Sequence, residues 1–224
     1  MNQFSISEKI ITVYPGHSAN LPVVYLNTFG DSGEAVYRQL ETKRGLDFHL
    51  VTITGLQWNH DMSPWKIPPI AKGDTPCTGG ADAYLKLLTG EIVPKAERFI
   101  SGEPLWRGIA GYSLAGLFAV YSLYEADLFS KAASISGSLW FPGFQEYIAD
   151  HPWREKPSCV YFSLGDRECR TRNPFLKVVQ ERTEKIHNFY AEKGIHTVFQ
   201  INPGNHFQDE AKRTAKGIRW ISSQ

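Results

Sequence analysis

The segment Gly111-Tyr112-Ser113-Leu114-Ala115-Gly116 sets one hydroxyl between small residues. The short run Arg107 to Tyr112 before it reads as a strand, and the apolar stretch Leu114 to Leu128 after it reads as a helix. A strand that turns this abruptly into a helix makes a nucleophile elbow. The serine takes a strained backbone, and its neighbours at minus two and plus two must be small, as Gly111 and Ala115 are. Such a turn holds the Ser113 Oγ proud of the sheet. It also aims the Leu114 backbone N–H at the space where an oxyanion would form. Ala115 in place of a second glycine weakens the bare pattern, and the strand before and helix after it restore specificity.

A serine hydroxyl is a weak nucleophile and needs a base. Where the chain order is serine, acid, histidine, the candidates beyond Ser113 are His151, His187, His196 and His206. His151 precedes every plausible acid. His187 falls inside a long helix, and His196 at the start of a strand. His206 follows a strand and the turn Asn202-Pro203-Gly204-Asn205, at the carboxyl edge of the sheet, where open α/β sheets hold their ligands. Gly165-Asp166-Arg167-Glu168, after the strand Ser158 to Leu164, offers the acid. Glu168, further into the loop, is preferred, with Asp166 as the alternative. Either would fix the imidazole tautomer and stabilise imidazolium. Asp209 and Glu210 read as structural acids in the first turn of a helix. The second oxyanion donor is expected from the loop after Asn20 to Phe29, with the Phe29 N–H favoured over that of Thr28 or Gly30. Tyr112, Trp65 and Trp140 are the expected substrate-binding residues. Trp65 lies in a long, Pro-rich stretch, Gln57 to Gly79, and Trp140 in Ser138-Leu139-Trp140-Phe141.

Strand-like runs alternate with helix-period segments along the chain. Strands are expected at Asn20–Phe29, Asp47–Gly55, Arg107–Tyr112, Ala132–Ser138, Ser158–Leu164 and His196–Ile201. Helices are expected at Ser32–Arg44 with Gly45 as C-cap, at Gly80–Ile100 with a kink at Pro94, and at Leu114–Leu128, Pro174–Lys193 and Gln208–Ser222. This alternation implies a mainly parallel sheet flanked by helices, one α/β domain over residues 1–224.

Composition narrows the function. The 224 residues are 42% hydrophobic and 21% charged, which argues against disorder. Lys and Arg number 24 against 23 Asp and Glu, so no basic excess is present to hold a nucleic-acid backbone. No apolar run approaches the roughly 18 residues of a membrane span, and the first residues carry no signal-peptide pattern. Cys77, Cys159 and Cys169 are odd in number and lack a C-x-x-C, so neither a disulfide framework nor a zinc site is expected. These features read as a cytoplasmic protein with no metal.

Further motifs carry a family resemblance: Asp61-Met62-Ser63-Pro64, Gly79-Gly80-Ala81-Asp82-Ala83-Tyr84-Leu85, Glu91-Ile92-Val93-Pro94, Gly111 through Ala119, Ser136-Gly137-Ser138-Leu139-Trp140, Gly165 through Glu168, and Asn205-His206-Phe207. With these, the sequence resembles the "putative esterase" branch of the α/β-hydrolase superfamily, esterase D-like and, most closely, enterochelin (siderophore) esterase-like. The resemblance implies an α/β-hydrolase fold without a large cap domain. It implies a serine hydrolase with nucleophile Ser113, base His206 and an acid at Glu168, a small-molecule ester as partner, and no cofactor. Some similar trilactone esterases work with a Ser–His dyad, which leaves the acid open. A thioesterase or acyltransferase using the same site, or a non-catalytic binding protein on the same fold, are the alternatives.

Overall fold

The computed structural model describes residues 1–30, 32–41 and 46–224. Its main sheet has eight strands: β1 (Asn2–Ile6), β2 (Lys9–Tyr14), β3 (Val23–Asn27), β4 (His49–Thr54), β7 (Arg107–Tyr112), β8 (Lys131–Ile135), β9 (Cys159–Gly165) and β10 (His196–Asn202). A two-residue ribbon, β5 (Lys66–Ile67) and β6 (Cys77–Thr78), stands apart. The strand order is β1-β2-β4-β3-β7-β8-β9-β10. The six strands from β4 to β10 run parallel, and β1 and β2 join antiparallel at one edge.

The helices are α1 (Ser32–Leu40), α2 (Trp58–Asp61), α3 (Ala81–Leu87), α4 (Val93–Ala96), α5 (Leu114–Glu125), α6 (Phe144–Asp150), α7 (Pro174–Lys177), α8 (Val179–Glu192) and α9 (Glu210–Ser222). Helices α1 and α9 cover one face of the sheet, where Val36, Leu40, Ala215, Ile218 and Ile221 pack on Val24, Leu26, Ala110 and Ala133. Helices α3, α5 and α8 cover the other. In α5 every residue from Leu114 to Tyr124 is buried, so it forms the centre of the second core layer. Strands with helices on both faces bury both sets of side chains, and β3, β8 and β9 are buried end to end. No large cap is inserted between β7 and β9.

Four departures from the expected elements have physical causes. The β1–β2 hairpin turns through Ser7 and Glu8, both at positive φ, where Asn-Gly would have signalled the turn. The expected helix Gly80–Ile100 is α3, a π-helical turn at Leu88–Ile92, then α4. Pro94 has no N–H to donate, and the widened turn accommodates that loss without ending the helix. The strand expected to run to Ser138 stops at Ile135, because Ser136 adopts φ 45°. The helix expected over Pro174–Lys193 divides at Val178 into α7 and α8, with Asn173 Oδ1 capping the Phe175 and Leu176 amides. The helix expected to run to Arg44 is α1, which ends at Leu40, and the cap expected at Gly45 lies outside the described residues.

The 57–79 stretch is well anchored. Lys9 Nζ on β2 lies 2.6 Å from Asp61 Oδ2, both side chains being buried, and the same oxygen accepts the Gln57 N–H at 2.8 Å. Ser63 Oγ donates to the Asn59 carbonyl and accepts the Gly79 N–H, tying the two ends together. Removing one partner of a buried ion pair leaves the other charge uncompensated. Lys9→Met should therefore cost about 3 kcal/mol of unfolding free energy by urea titration. Lys9→Met/Asp61→Asn should recover part of that loss. A loss below about 1 kcal/mol for the single variant would show that the pair does not anchor the loop.

Candidate active site

Ser113 sits between β7 and α5 with φ 58° and ψ −124°. This is a backbone region that non-glycine residues occupy at a cost of about 1–3 kcal/mol. The surroundings enforce it. The Ser113 N–H donates to Ile135 of the neighbouring strand, and its carbonyl accepts from Gly116, Leu117 and Ser138. A Cβ at Gly111 would overlap the Ala115 carbonyl and come within 2.5 Å of the Ala115 Cβ, so the minus-two position admits only glycine. Leu114 supplies the first amide of α5, which has no acceptor within the helix, and the residue lines a cleft at Ser113.

His206 follows β10, and Glu168 lies in the turn after β9, so both sit at the carboxyl edge of the strands beside β7 and β8. His206 Nε2 is 3.1 Å from Ser113 Oγ, and Nδ1 is 2.7 Å from Glu168 Oε2. The imidazole is partly open to solvent, whereas the Glu168 side chain is 4% exposed. Its other oxygen, Oε1, accepts from Ser136 Oγ at 2.7 Å and from the Gly165 N–H at 2.5 Å. The positive φ of Ser136 puts that hydroxyl on the carboxylate. Burial pushes the Glu168 carboxyl up. The hydrogen bond and charge of His206, the Ser136 hydroxyl and the Gly165 amide together outweigh it and hold the group below the ordinary carboxylate value.

Asp166, the alternative acid, is turned elsewhere. Its Oδ1 accepts the Gly204 N–H at 2.8 Å and lies 3.7 Å from Arg167 Nε. It fastens the backbone of the histidine loop and does not reach the imidazole.

Arg213 on α9 was not singled out from the sequence. Its buried guanidinium donates to the carbonyls of Pro203 (2.7 Å) and Asn205 (2.9 Å), to Tyr112 OH (3.3 Å) and to Glu168 Oε1 (3.5 Å). Tyr112 OH in turn donates to the His206 carbonyl at 2.7 Å. One arginine thus braces the loop, the acid and the strand end. Only a residue far along the chain with no motif of its own does this, so no local signal marks it.

The remaining expected residues separate. Phe29 is 66% exposed, with its ring edge-on to Trp58, beside the serine. Trp140 lines the clefts next to Ser113. Tyr112 lines one of them, although its hydroxyl is engaged with the histidine loop. Trp65 is a correction. Its indole N–H donates to the Pro142 carbonyl and its rings pack on Phe141, Phe144 and Tyr147, away from the clefts around Ser113. Trp58 takes the position expected of it. Both tryptophans come from the same loop, and α2 turns Trp58 towards the serine. Among the described residues no group of three His, Cys, Asp or Glu could hold a metal ion, and no helix is long and apolar enough to cross a membrane.

A mostly parallel α/β sheet with a serine at the strand–helix turn, and a histidine and carboxylate at neighbouring strand ends, defines the α/β-hydrolase class. A family model described as "Putative esterase" matches residues 9–200, and the chain belongs to that family of carboxylic ester hydrolases. The match includes Ser113 and Glu168 and stops short of His206. The uncharacterized protein YbbA of Bacillus subtilis (strain 168) is 24% identical over 93% of this chain and 88% of its own. The siderophore hydrolase EstA from Aspergillus nidulans superposes with a TM-score of 0.72 at 18% identity, covering 99% of this chain and 93% of that one. An IroE-like serine hydrolase from Shewanella oneidensis gives a TM-score of 0.74 at 19% identity, covering 96% and 75%. At these identities the solved structures establish the fold.

If Glu168 orients the ring, Glu168→Gln should lower kcat/KM on an activated ester by on the order of 10²–10⁴-fold, and Asp166→Asn by less than about tenfold. Because the folded Glu168 value lies below the unfolded one, its stabilising contribution is complete above about pH 4.3 and is lost as pH falls through the folded value. The stability difference between wild type and Glu168→Gln, measured by denaturant at each pH, should shrink below about pH 4 from its value at pH 5. A difference that widens there would reverse the assignment.

Proposed function

We propose that this chain hydrolyses carboxylic esters through an acyl-enzyme on Ser113, with His206 as general base and Glu168 as its orienting acid. The observation that carries the reading is the unbroken chain from Ser113 Oγ through both ring nitrogens of His206 to Glu168, at 3.1 and 2.7 Å. His206 Nε2 takes the serine proton as Oγ attacks the acyl carbon. The resulting imidazolium is stabilised by the buried carboxylate, which Ser136 and Gly165 keep ionised. The Leu114 and Phe29 backbone N–H groups are assigned to the oxyanion. Collapse of the tetrahedral intermediate expels the alcohol, which takes the proton back from His206. Water, deprotonated by the same imidazole, then releases the acid and restores Ser113.

The reading takes the chain as one domain acting on a small-molecule ester, with neither nucleic acid nor membrane as partner. No cofactor enters any step. The free thiols of Cys77, Cys159 and Cys169 support the cytoplasm as its compartment.

Ser113→Ala removes the nucleophile while leaving the turn and its hydrogen bonds to the backbone in place. Turnover of a short-chain aryl ester should fall by at least about 10³-fold, with KM moving far less than kcat. Full turnover in Ser113→Ala would end the reading. Product analysis with added alcohol separates hydrolysis from acyl transfer, and the acid should remain the main product.

A further inference from the structure

Two sizeable clefts border Ser113, and a smaller one of about 130 Å³ reaches both Ser113 and His206. One, of about 450 Å³, runs beneath Trp58, Ile67, Ile70 and Trp140 on the Leu114 side and does not include His206. The other, of about 410 Å³, is lined by Phe29, Trp58, Tyr112, His206, Phe207 and Glu210 together with Ser113. Ester cleavage assigns the halves of a substrate to them. The departing alcohol oxygen takes its proton from His206 Nε2, so the alcohol half must lie on the imidazole side.

That side has a distinct chemistry. Phe207 is 89% exposed and Phe29 66%, two large rings held at the surface beside the reacting groups. Trp58 stands edge-on to Phe29 at 5.2 Å, and Phe207 edge-on to the His206 ring at 5.3 Å. Glu210 is the one carboxylate among the described residues that line this cleft. In the first turn of α9 the Glu210 carboxylate complements the helix dipole. That role explains why a charge is tolerated at this helix end, not why it borders the cleft. The Glu210 side chain makes no hydrogen bond or ion pair with any described residue, and its burial raises the carboxyl above its ordinary value, while the charge of His206 works against the rise. A half-buried carboxylate whose side chain makes no hydrogen bond or ion pair with a described residue, among aromatic rings that carry negative quadrupole density on their faces, is the electrostatic complement of an organic cation and repels an anion.

We propose that this cleft binds the alcohol half of the substrate and selects alcohols bearing an ammonium group, held by Glu210 and the rings of Phe29, Trp58 and Phe207. The inference rests on Ser113 and His206 acting as an ester hydrolase. The acyl half then occupies the cleft on the Leu114 side.

Three butyrate esters test it: 2-(trimethylammonio)ethyl, its neutral isostere 3,3-dimethylbutyl, and an ester of a carboxylate-bearing alcohol of similar length. Wild type should favour the cation over the isostere by about tenfold in kcat/KM and turn over the anion least. Glu210→Gln should bring the cation-to-isostere ratio to about one, and Glu210→Asp should retain part of it. An equal ratio in wild type, or a ratio unchanged in Glu210→Gln, overturns the proposal. A uniform loss on all three esters also overturns it, because Glu210 would then act on His206 and not on the alcohol. A binding arm does not depend on turnover. Calorimetry on Ser113→Ala should show 2-(trimethylammonio)ethanol binding more tightly than 3,3-dimethylbutanol, with the difference lost in Ser113→Ala/Glu210→Gln. If wild type cleaves none of the esters, the hydrolase reading fails, and this binding comparison still decides the cation site.

Discussion

A serine that must stand at φ 58° holds its place only while strand, turn and helix all hold theirs, and this constraint organises the rest of the molecule. Strand β7 is paired on both sides by parallel neighbours, and α5 is buried along nearly its whole length. Between them there is no room to relax. Gly111 lies against Ala115, and Gly116 lies against Gly137 and Ser134. Strain of this kind persists where the surrounding packing over-determines it, and the two-sided core supplies that packing.

The second requirement is that a carboxylate stay charged out of water. Glu168 is almost wholly buried, and burial alone would push its carboxyl up. Ser136, the Gly165 amide and the His206 ring satisfy it instead, and the Arg213 guanidinium lies at the edge of contact. The same arginine holds the carbonyls of Pro203 and Asn205, and Tyr112 holds that of His206. Glu168 and His206 are therefore fixed by one network, which joins β7, the loop after β9, the loop after β10 and α9. Gly165 and Gly204 permit that junction, since a Cβ on Gly165 would overlap the Gly204 carbonyl.

Much of this was legible in the sequence where local pattern and chain order carry the information. The small residues around Ser113, the strand–helix alternation and the order serine, acid, histidine needed no tertiary knowledge. Glu168 is preferred over Asp166 for its place further into the loop, but how the turn aims each carboxylate shows only in the fold, where Glu168 meets His206 and Asp166 the Gly204 amide. The same holds for Trp58 and Trp65, whose roles depend on which way α2 and the ribbon face. The β1–β2 hairpin escaped because Ser7-Glu8 carries no turn signature. Arg213 escaped because its partners Tyr112 and Glu168 are distant in the chain.

The central claim is that His206 makes Ser113 uniquely nucleophilic, and covalent capture tests it most directly. A fluorophosphonate should add once per chain, on the peptide carrying Ser113, as read by intact-mass and peptide mass spectrometry. His206→Ala should slow that labelling by on the order of 10²-fold or more. An adduct on another residue, or labelling equally fast without the imidazole, would contradict the account.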